Sequence, residues 1–367
     1  MKKNKLPLES LACVNDECKA YGEKGRDNLS VRKVYGRDEI RYLRCSCCAK
    51  EFSERKGTAL WNCKLPEDKA IGIAEQLAEG TSYQGTARLH RVSVGAVQRL
   101  AGCLGKHGQR FHDERVRDLP STALQADERW GYALSKKQPQ WEAEVIDPES
   151  RLVVERALGK RDETLIEKVL KSAAARVAYP QGVVLFSDGE HSYKTLFPKI
   201  FGTPYQPQRK GDRGRQPKVR YRIGRRQAHV QIVKRHQGRR LVEVSVELAH
   251  GSNKRLEREL HRLGYNQPNT SAIERRNGTA RRMDAFSVRK SLAFARRPDS
   301  RDANGSWAMT VYNWVREHRS LKRLLPQPIG KRKYEKRSPA MAAGLTDFIW
   351  SVEAILRYQP FPAKGMR

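Results

Sequence analysis

Three acids in this 367-residue chain stand where they could do chemistry. Asp127 falls in the middle of a predicted strand, STALQADERWGYAL, on the face opposite Leu124, Trp130 and Tyr132. Asp188 ends a short apolar run, GVVLFSDGE, where a buried strand would open into a loop at the active end of an α/β sheet. If those strands are parallel neighbours the carboxylates meet, and two such charges repel unless a divalent cation lies between them. The pair therefore asks for Mg2+ or Mn2+. Glu274, in PNTSAIERRNGTARRMDAF, offers a third carboxylate. Ser271-x-x-Glu274 is also a capping box, which would spend Glu274 on an amide at a helix start, and the spacing weighs evenly between the two uses. Arg281, two turns further on, shares a helical face with Glu274 and suits a grip on phosphate beside a metal carboxylate. Glu128 and Glu190 are the neighbouring alternatives to the two aspartates.

The seven cysteines offer a second chemistry. Cys13-x4-Cys18 and Cys45-Ser-Cys47-Cys48 flank LSVRKVYGRDEIRYLR, whose Val31, Val34, Ile40 and Leu43 predict short strands either side of a turn at Gly36. This is the layout of a zinc ribbon. Cys13, Cys18, Cys45 and Cys48 form the best ligand set, with Cys47 spare, and metal would supply folding energy to a segment too small for a good core. Cys63 and Cys103 lack neighbours and read as packing residues. An odd set crowded into the first third of the chain fits a metal site in a reducing compartment better than a disulfide framework.

The elements that must position these groups follow from periodicity. After the cysteines, PEDKAIGIAEQLAEG, SYQGTARLH and SVGAVQRLAGCLGKHG predict three short helices, with a tight break around Arg91 and Ser93 as N-cap of the last. That is a helix-turn-helix pattern, and it would bring Arg99, Lys106 and Arg110 near phosphate; a small helical bundle has the same periodicity. Next come the strand bearing Asp127, QWEAEVI with Glu142 and Glu144 alternating with apolar residues, RLVVERAL, the helix DETLIEKVLKSAAARV, and the strand ending at Asp188. A right-handed crossover would set that fourth strand beside the first. From Gln208 to Arg240 there are thirteen Lys or Arg and one acid, Asp212, with Arg220 and Arg222 alternating with Val219, Tyr221 and Ile223. This predicts a basic, β-rich insertion turning near Gly238.

Lys plus Arg number 73 against 41 Asp plus Glu, a formal net charge of +32. Such self-repulsion is tolerated when the working partner is a polyanion, most commonly nucleic acid. No apolar run approaches the roughly 18 residues of a membrane span, so the expectation is a soluble, cytoplasmic protein with no membrane partner.

The runs ADERWGYAL, LFSDGEHSY, NTSAIERRNGTARRMDAFSVRKSLAFARR, YNWVREHRSLKR and SPAMAAGLTDFIW together resemble DDE transposases, most closely the insertion sequence one family. The resemblance covers nearly the whole chain, because that family also begins with a zinc ribbon, here RYLRCSCCAKEF, followed by a helix-turn-helix. It implies a multidomain α/β protein: zinc ribbon over 1–62, helix-turn-helix DNA-binding domain over 63–118, and an RNase H-like mixed sheet with helices over 119–300. The basic β-rich insertion over 205–250 lies within that catalytic domain, and C-terminal helices follow over 301–367. Asp127, Asp188 and Glu274 become ligands of a two-metal Mg2+ (or Mn2+) site, beside a structural Zn2+, and Glu274 rises above its capping use. Arg281 resembles the basic residue that follows the glutamate in related enzymes. The interval from Asp188 to Glu274 departs from the compact members by being longer. The implied activity is cleavage at the terminal inverted repeats of an insertion sequence and transfer of the freed 3′-OH into target DNA. The implied partners are double-stranded DNA, both element ends and target, and at least a second copy of the chain; the setting is a bacterial or archaeal nucleoid. Arg99 and Lys106, with Arg220 and Arg222 of the insertion, would hold DNA. Two other classes are a catalytically inactive zinc-ribbon and helix-turn-helix regulator, and a hydroxyl-nucleophile recombinase built on Tyr312 with Arg316, His318 and Arg319.

Overall fold

The structure, a computed structural model, describes residues 6–209, 215–238, 240–288 and 291–361. β1 (Leu29–Tyr35), β2 (Ile40–Cys45) and β3 (Glu51–Ser53) form an antiparallel sheet in that order, and Gly36 turns the chain between the first two with φ 72°. Beneath it, Leu11, Ala20, Leu43 and Phe52 gather around Cys13, Cys18 and Cys45. So few side chains make a poor core, and the thiols occupy its centre.

Three helices follow: α1 (Glu67–Ala78), α2 (Tyr83–His90) and α3 (Val94–Arg115). Ser82 caps α2 and Ser93 caps α3, each hydroxyl accepting from an amide three residues on (Gly85 N, 3.1 Å; Ala96 N, 3.2 Å). Arg91 takes a left-handed φ of 53°, which makes the sharp break between them.

The central sheet comprises β4 (Ala123–Arg129), β5 (Trp141–Ile146), β6 (Val153–Gly159), then, after α4 (Glu163–Arg176), β7 (Val184–Ser187). After α5 (His191–Phe201) and a separate two-stranded pair, β8 (Thr203–Tyr205) and β9 (Arg220–Arg222), the hairpin β10 (Ala228–Gln237) and β11 (Arg240–His250) completes it. The spatial order is β11-β10-β7-β4-β5-β6. β4, β5 and β6 are antiparallel neighbours, whereas β7 lies parallel to β4 and β10 parallel to β7. The crossover through α4 thus sets the fourth strand beside the first, as its apolar run predicts.

The basic segment departs from the picture of a simple insertion. Residues 210–214 and 239 of it lie outside the described residues. Its later part is core: Val230 and Ile232 are buried against Val184, Phe186 and Leu256. Beyond Ile232 the hairpin carries its cations, and Val242, Val244 and Val246, into solvent.

α6 (Asn253–Leu263), α7 (Ser271–Met283) and α8 (Pro298–Trp314) come next; a hairpin of β12 (Arg323–Ile329) and β13 (Arg332–Glu335) then interrupts the expected run of helices before α9 (Pro339–Ala342) and α10 (Val352–Arg357). α3 runs on to Arg115 because α8 supports it. Phe111 meets Trp314 and Trp350 edge-on at 5.0 and 5.1 Å, and Trp307 Nε1 donates to the carbonyl of Ala74 in α1 at 2.8 Å. The contact is too close for any side chain at Gly105, where a Cβ would lie 2.3 Å from Ala303 Cα. Gly105→Ala should therefore overpack this junction and lower stability by about 1–3 kcal/mol, read as a fall in the urea midpoint.

Candidate active site

β4 and β7 pair in the register Ala126 to Ser187, so the next residue on each, Asp127 and Asp188, emerges side by side at the same end of the sheet. Asp127 Oδ1 accepts from the Glu128 amide at 2.9 Å and Oδ2 from Asn277 Nδ2 at 2.7 Å. Asp188 Oδ1 accepts from the Glu190 amide at 3.1 Å, while Gln231 Nε2 of β10 holds the Asp188 carbonyl at 3.1 Å. Gln125, two residues before Asp127 and on the same strand face, fixes α7: its Nε2 donates to Asn269 O at 2.9 Å and its Oε1 accepts from Ile273 N at 3.0 Å. Glu274 therefore sits in the first turn of a helix tied directly to the strand that bears Asp127.

The capping box does not form. The Ser271 amide donates to Asn269 Oδ1 at 3.1 Å, and the Glu274 carboxylate accepts from the Thr270 hydroxyl at 2.7 Å and pairs with Lys234 of β10. Arg281 lies two turns along the same helix, half-buried. Glu128 points to the other side of β4, as alternation requires, where the Tyr193 hydroxyl donates to it and Arg161 stands 3.7 Å away. Glu190 accepts from Ser192 N at 3.4 Å as the cap of α5.

These acids are strained electrostatically. Burial, reinforced by the Asp188 and Glu274 charges, pushes Asp127 up to about 6. Burial raises Asp188 as well, and burial together with Asp188 takes Glu128 to about 7. For Glu274 burial acts upward, but the hydrogen bonds from Lys234 and Thr270 outweigh it and leave the carboxyl below its usual value. Hard oxygen donors of this kind could hold a divalent cation. Among the described residues only the four cysteines bring ligand atoms all within 4.8 Å of one another, so the acids converge more widely, with the Lys234 ammonium beside Glu274.

Behind the acids lies a buried ionic cluster that periodicity does not reveal. Glu142 and Glu144, expected on the polar face of β5, are 1% and 0% exposed. Arginines converge on them: Arg129 of β4 bonds both at 2.7 and 2.8 Å, Arg276 of α7 reaches Glu144 at 3.0 Å, and Arg156 and Arg301 flank Glu142. Arg129 Nη1 also donates to Asn277 Oδ1 at 2.8 Å, which orients the Asn277 amide toward Asp127. Tyr312, the nucleophile a recombinase would need, is buried with the Arg276 guanidinium 4.4 Å above its ring.

In the N-terminal sheet Cys13, Cys18, Cys45 and Cys48 form the cluster that could hold a metal ion, with Sγ separations of 3.8 Å (Cys13 to Cys48) and 3.9 Å (Cys18 to Cys45). Against the upward push of burial, the backbone amides of Cys48 and Cys47 and the Asn28 amide pull Cys45 down to about 6, which favours the thiolate a metal binds. Cys47 is exposed and outside the cluster. Arg99 and Lys106 stand exposed on α3, and Arg220 and Arg222 are exposed on β9, the latter 5.1 Å over the Tyr205 ring.

Two outcomes follow from this geometry. Purified protein should carry one tetrahedral metal ion per chain that Cys45→Ser loses, as metal analysis would read. Asp127→Asn should stabilise the fold by about 1–3 kcal/mol at pH 8, because the native carboxyl ionises only above about 6 whereas the unfolded one ionises near 3.8. The penalty it relieves is complete above the folded value, fades as the pH falls through it, and is gone below the unfolded one, so urea midpoints of the two proteins should coincide near pH 3.5.

No protein-family model matches the sequence, and no curated protein is recognisably similar to it. Among solved structures, a weak match is to the crystal structure of the Mos1 strand transfer complex, at 9% sequence identity and a TM-score of 0.17. The match covers 37% of this chain and spans about half of the other, 54%.

Proposed function

We propose that the chain is a DDE transposase, which cuts DNA at the ends of an insertion sequence and joins the 3′-OH to target DNA. The observation that carries the reading is the pairing of Asp127 and Asp188 on parallel neighbouring strands, with Glu274 brought to them on a helix anchored by Gln125. The sheet supports an RNase H-like catalytic unit: an antiparallel trio, a crossover helix, and a fourth strand parallel to the first.

The residues divide the work as follows. Asp127, Asp188 and Glu274 would hold Mg2+ or Mn2+, whose chemistry is to polarise a phosphodiester and activate the attacking oxygen. Asn277 keeps one Asp127 oxygen oriented and leaves the rest of that carboxylate available. Glu274 gives up Lys234, whose ammonium is then free to meet phosphate. Arg281 supplies a further cation along α7. Four cysteines hold Zn2+ in a ribbon, and α2 with α3 read the terminal repeats through a helix-turn-helix bearing Arg99 and Lys106. Arg220 and Arg222 grip backbone. Two ends must be paired, so the working form is at least a dimer.

A catalytically inactive DNA-binding regulator would share the first half of this description. The two part on one experiment, in which the protein is incubated with its gene's flanking DNA and Mg2+ and the new 3′ ends are mapped. The expected result is strand cleavage that falls by on the order of 10³-fold or more in Asp127→Asn and in Asp188→Asn, with DNA binding retained. Cleavage undiminished in both variants would sink the catalytic assignment, and a wild type that binds but never cuts would leave the regulator. Glu274→Gln should also abolish cutting, and denaturing gels should show no DNA attached to protein.

A further inference from the structure

A groove of about 1680 Å3 runs between α3, β6, α4 and the segment leading into α8. Its walls carry Arg99 and Lys106 from α3, Lys168 and Lys171 from α4, and Arg296 and Arg297. All six are exposed.

Charge in this groove is predominantly positive, with nine Lys or Arg against four acids along its walls. Three of the acids are held by buried guanidiniums, Asp113 and Glu155 sharing Arg176 at 2.6 and 2.9 Å and Asp302 meeting Arg156 at 2.8 Å, and the fourth, Asp299, pairs with Arg297 at 3.7 Å. Arg99, Lys106, Lys168 and Arg296 have no ion pair or hydrogen bond among the described residues. Their contrast with the arginines behind the active site, each matched to a carboxylate, is what a polyanion site looks like before its ligand arrives.

The glycines of α3 give an independent sign. Glycine inside a helix costs stability, so each asks for a reason. Gly105 and Gly108 have one, since a Cβ there would strike Ala303 or Thr310 of α8. Gly102 also lines the groove, and a Cβ on it would meet nothing within 4 Å. No packing among the described residues explains it, whereas close approach of a ligand to the helix backbone does.

We infer that the groove is a phosphate clamp for double-stranded DNA, in which the face of α3 through Gly102 lies against the duplex and Lys168 and Lys171 of α4 hold its backbone from the opposite wall. This rests on the DNA-binding part of the proposed function and not on its catalysis. α4 is the crossover between β6 and β7, so a duplex held here is fixed relative to the sheet that bears Asp127 and Asp188. The clamp thus makes the catalytic unit itself part of end recognition, beyond what a helix-turn-helix does alone.

The test is fluorescence anisotropy of the full-length protein with a labelled duplex of its gene's flanking sequence, without divalent cation, over a salt series. Removing two phosphate contacts in Lys168→Gln/Lys171→Gln should lower the slope of log K against log salt by about 1.8, which corresponds to roughly 60-fold weaker binding at 0.1 M salt. Gly102→Gln should also lose affinity, with a melting temperature equal to or above that of the wild type, because the new residue favours helix. An unchanged slope in the lysine variant beside tight wild-type binding would overturn the clamp and leave the proposed function standing. A wild type that binds no DNA would end both. Competition by an acidic polypeptide at equal charge concentration that displaces the duplex from wild type but not from the lysine variant would assign the groove to a protein partner instead.

Discussion

The buried meeting of Glu142 and Glu144 with four arginines is the constraint on which the rest of the central sheet and its helices depends. The arginines come from β4, β6, α7 and α8, so one ionic cluster ties together elements far apart in sequence. A buried ion pair adds little net stability over an apolar one, but loss of one partner is costly, about 3–5 kcal/mol, because the other charge is stranded. The cluster therefore acts on position. Were α7 turned by one residue, Arg276 would leave Glu144 and Asn277 would leave both Arg129 and Asp127. The rotation of that helix, and with it the place of Glu274, is set by charges that never touch solvent.

The same cluster sorts the acids of one sheet into two kinds. Although burial acts against ionisation at Glu142, Arg129, Arg156 and Arg301 hold it well below the ordinary carboxylate range, and Arg129 with Arg276 does the same for Glu144. Asp127 and Asp188 are less deeply buried but lack such partners, and burial moves them up. Arg129 lies two residues from Asp127 and lowers it only as a minor influence, because its guanidinium is spent on β5. The matched acids hold structure, and the unmatched ones stay at raised values beside one another, the kind of perturbed group that marks a candidate functional site.

The sequence makes some of this legible and hides the rest for definable reasons. The cysteine spacing, the cap Ser93 and the strand–helix–strand order around Asp127 and Asp188 are local signals, and the fold keeps them. Periodicity, however, infers burial from apolarity, so it places Glu142 and Glu144 in solvent and cannot see arginines arriving from elsewhere. It misjudges β10 for a related reason: the cations that surround this strand mask a buried stretch from Ala228 to Ile232. Asn277, which donates directly to Asp127, has no motif of its own, and Ser271-x-x-Glu274 is equally good spacing for a use that the Thr270 and Lys234 contacts exclude. What escapes is in each case a pairing across the chain and not a property of a segment.

That distinction also changes the meaning of the net charge. Arg129, Arg156, Arg176 and Arg276 each face a carboxylate within the protein, so much of their charge is offset internally. The cationic excess felt outside therefore comes mainly from residues without such partners. Several stand on α3, on the opposing wall at α4, before α8, and on β9, while Asp113, Glu155 and Asp302 among them are held by buried arginines. Interior arginines thus serve the surface as well as the site. By pairing with these three acids from beneath, they leave the groove with an excess of positive charge, and a duplex drawn to it would meet the sheet that carries the unmatched aspartates.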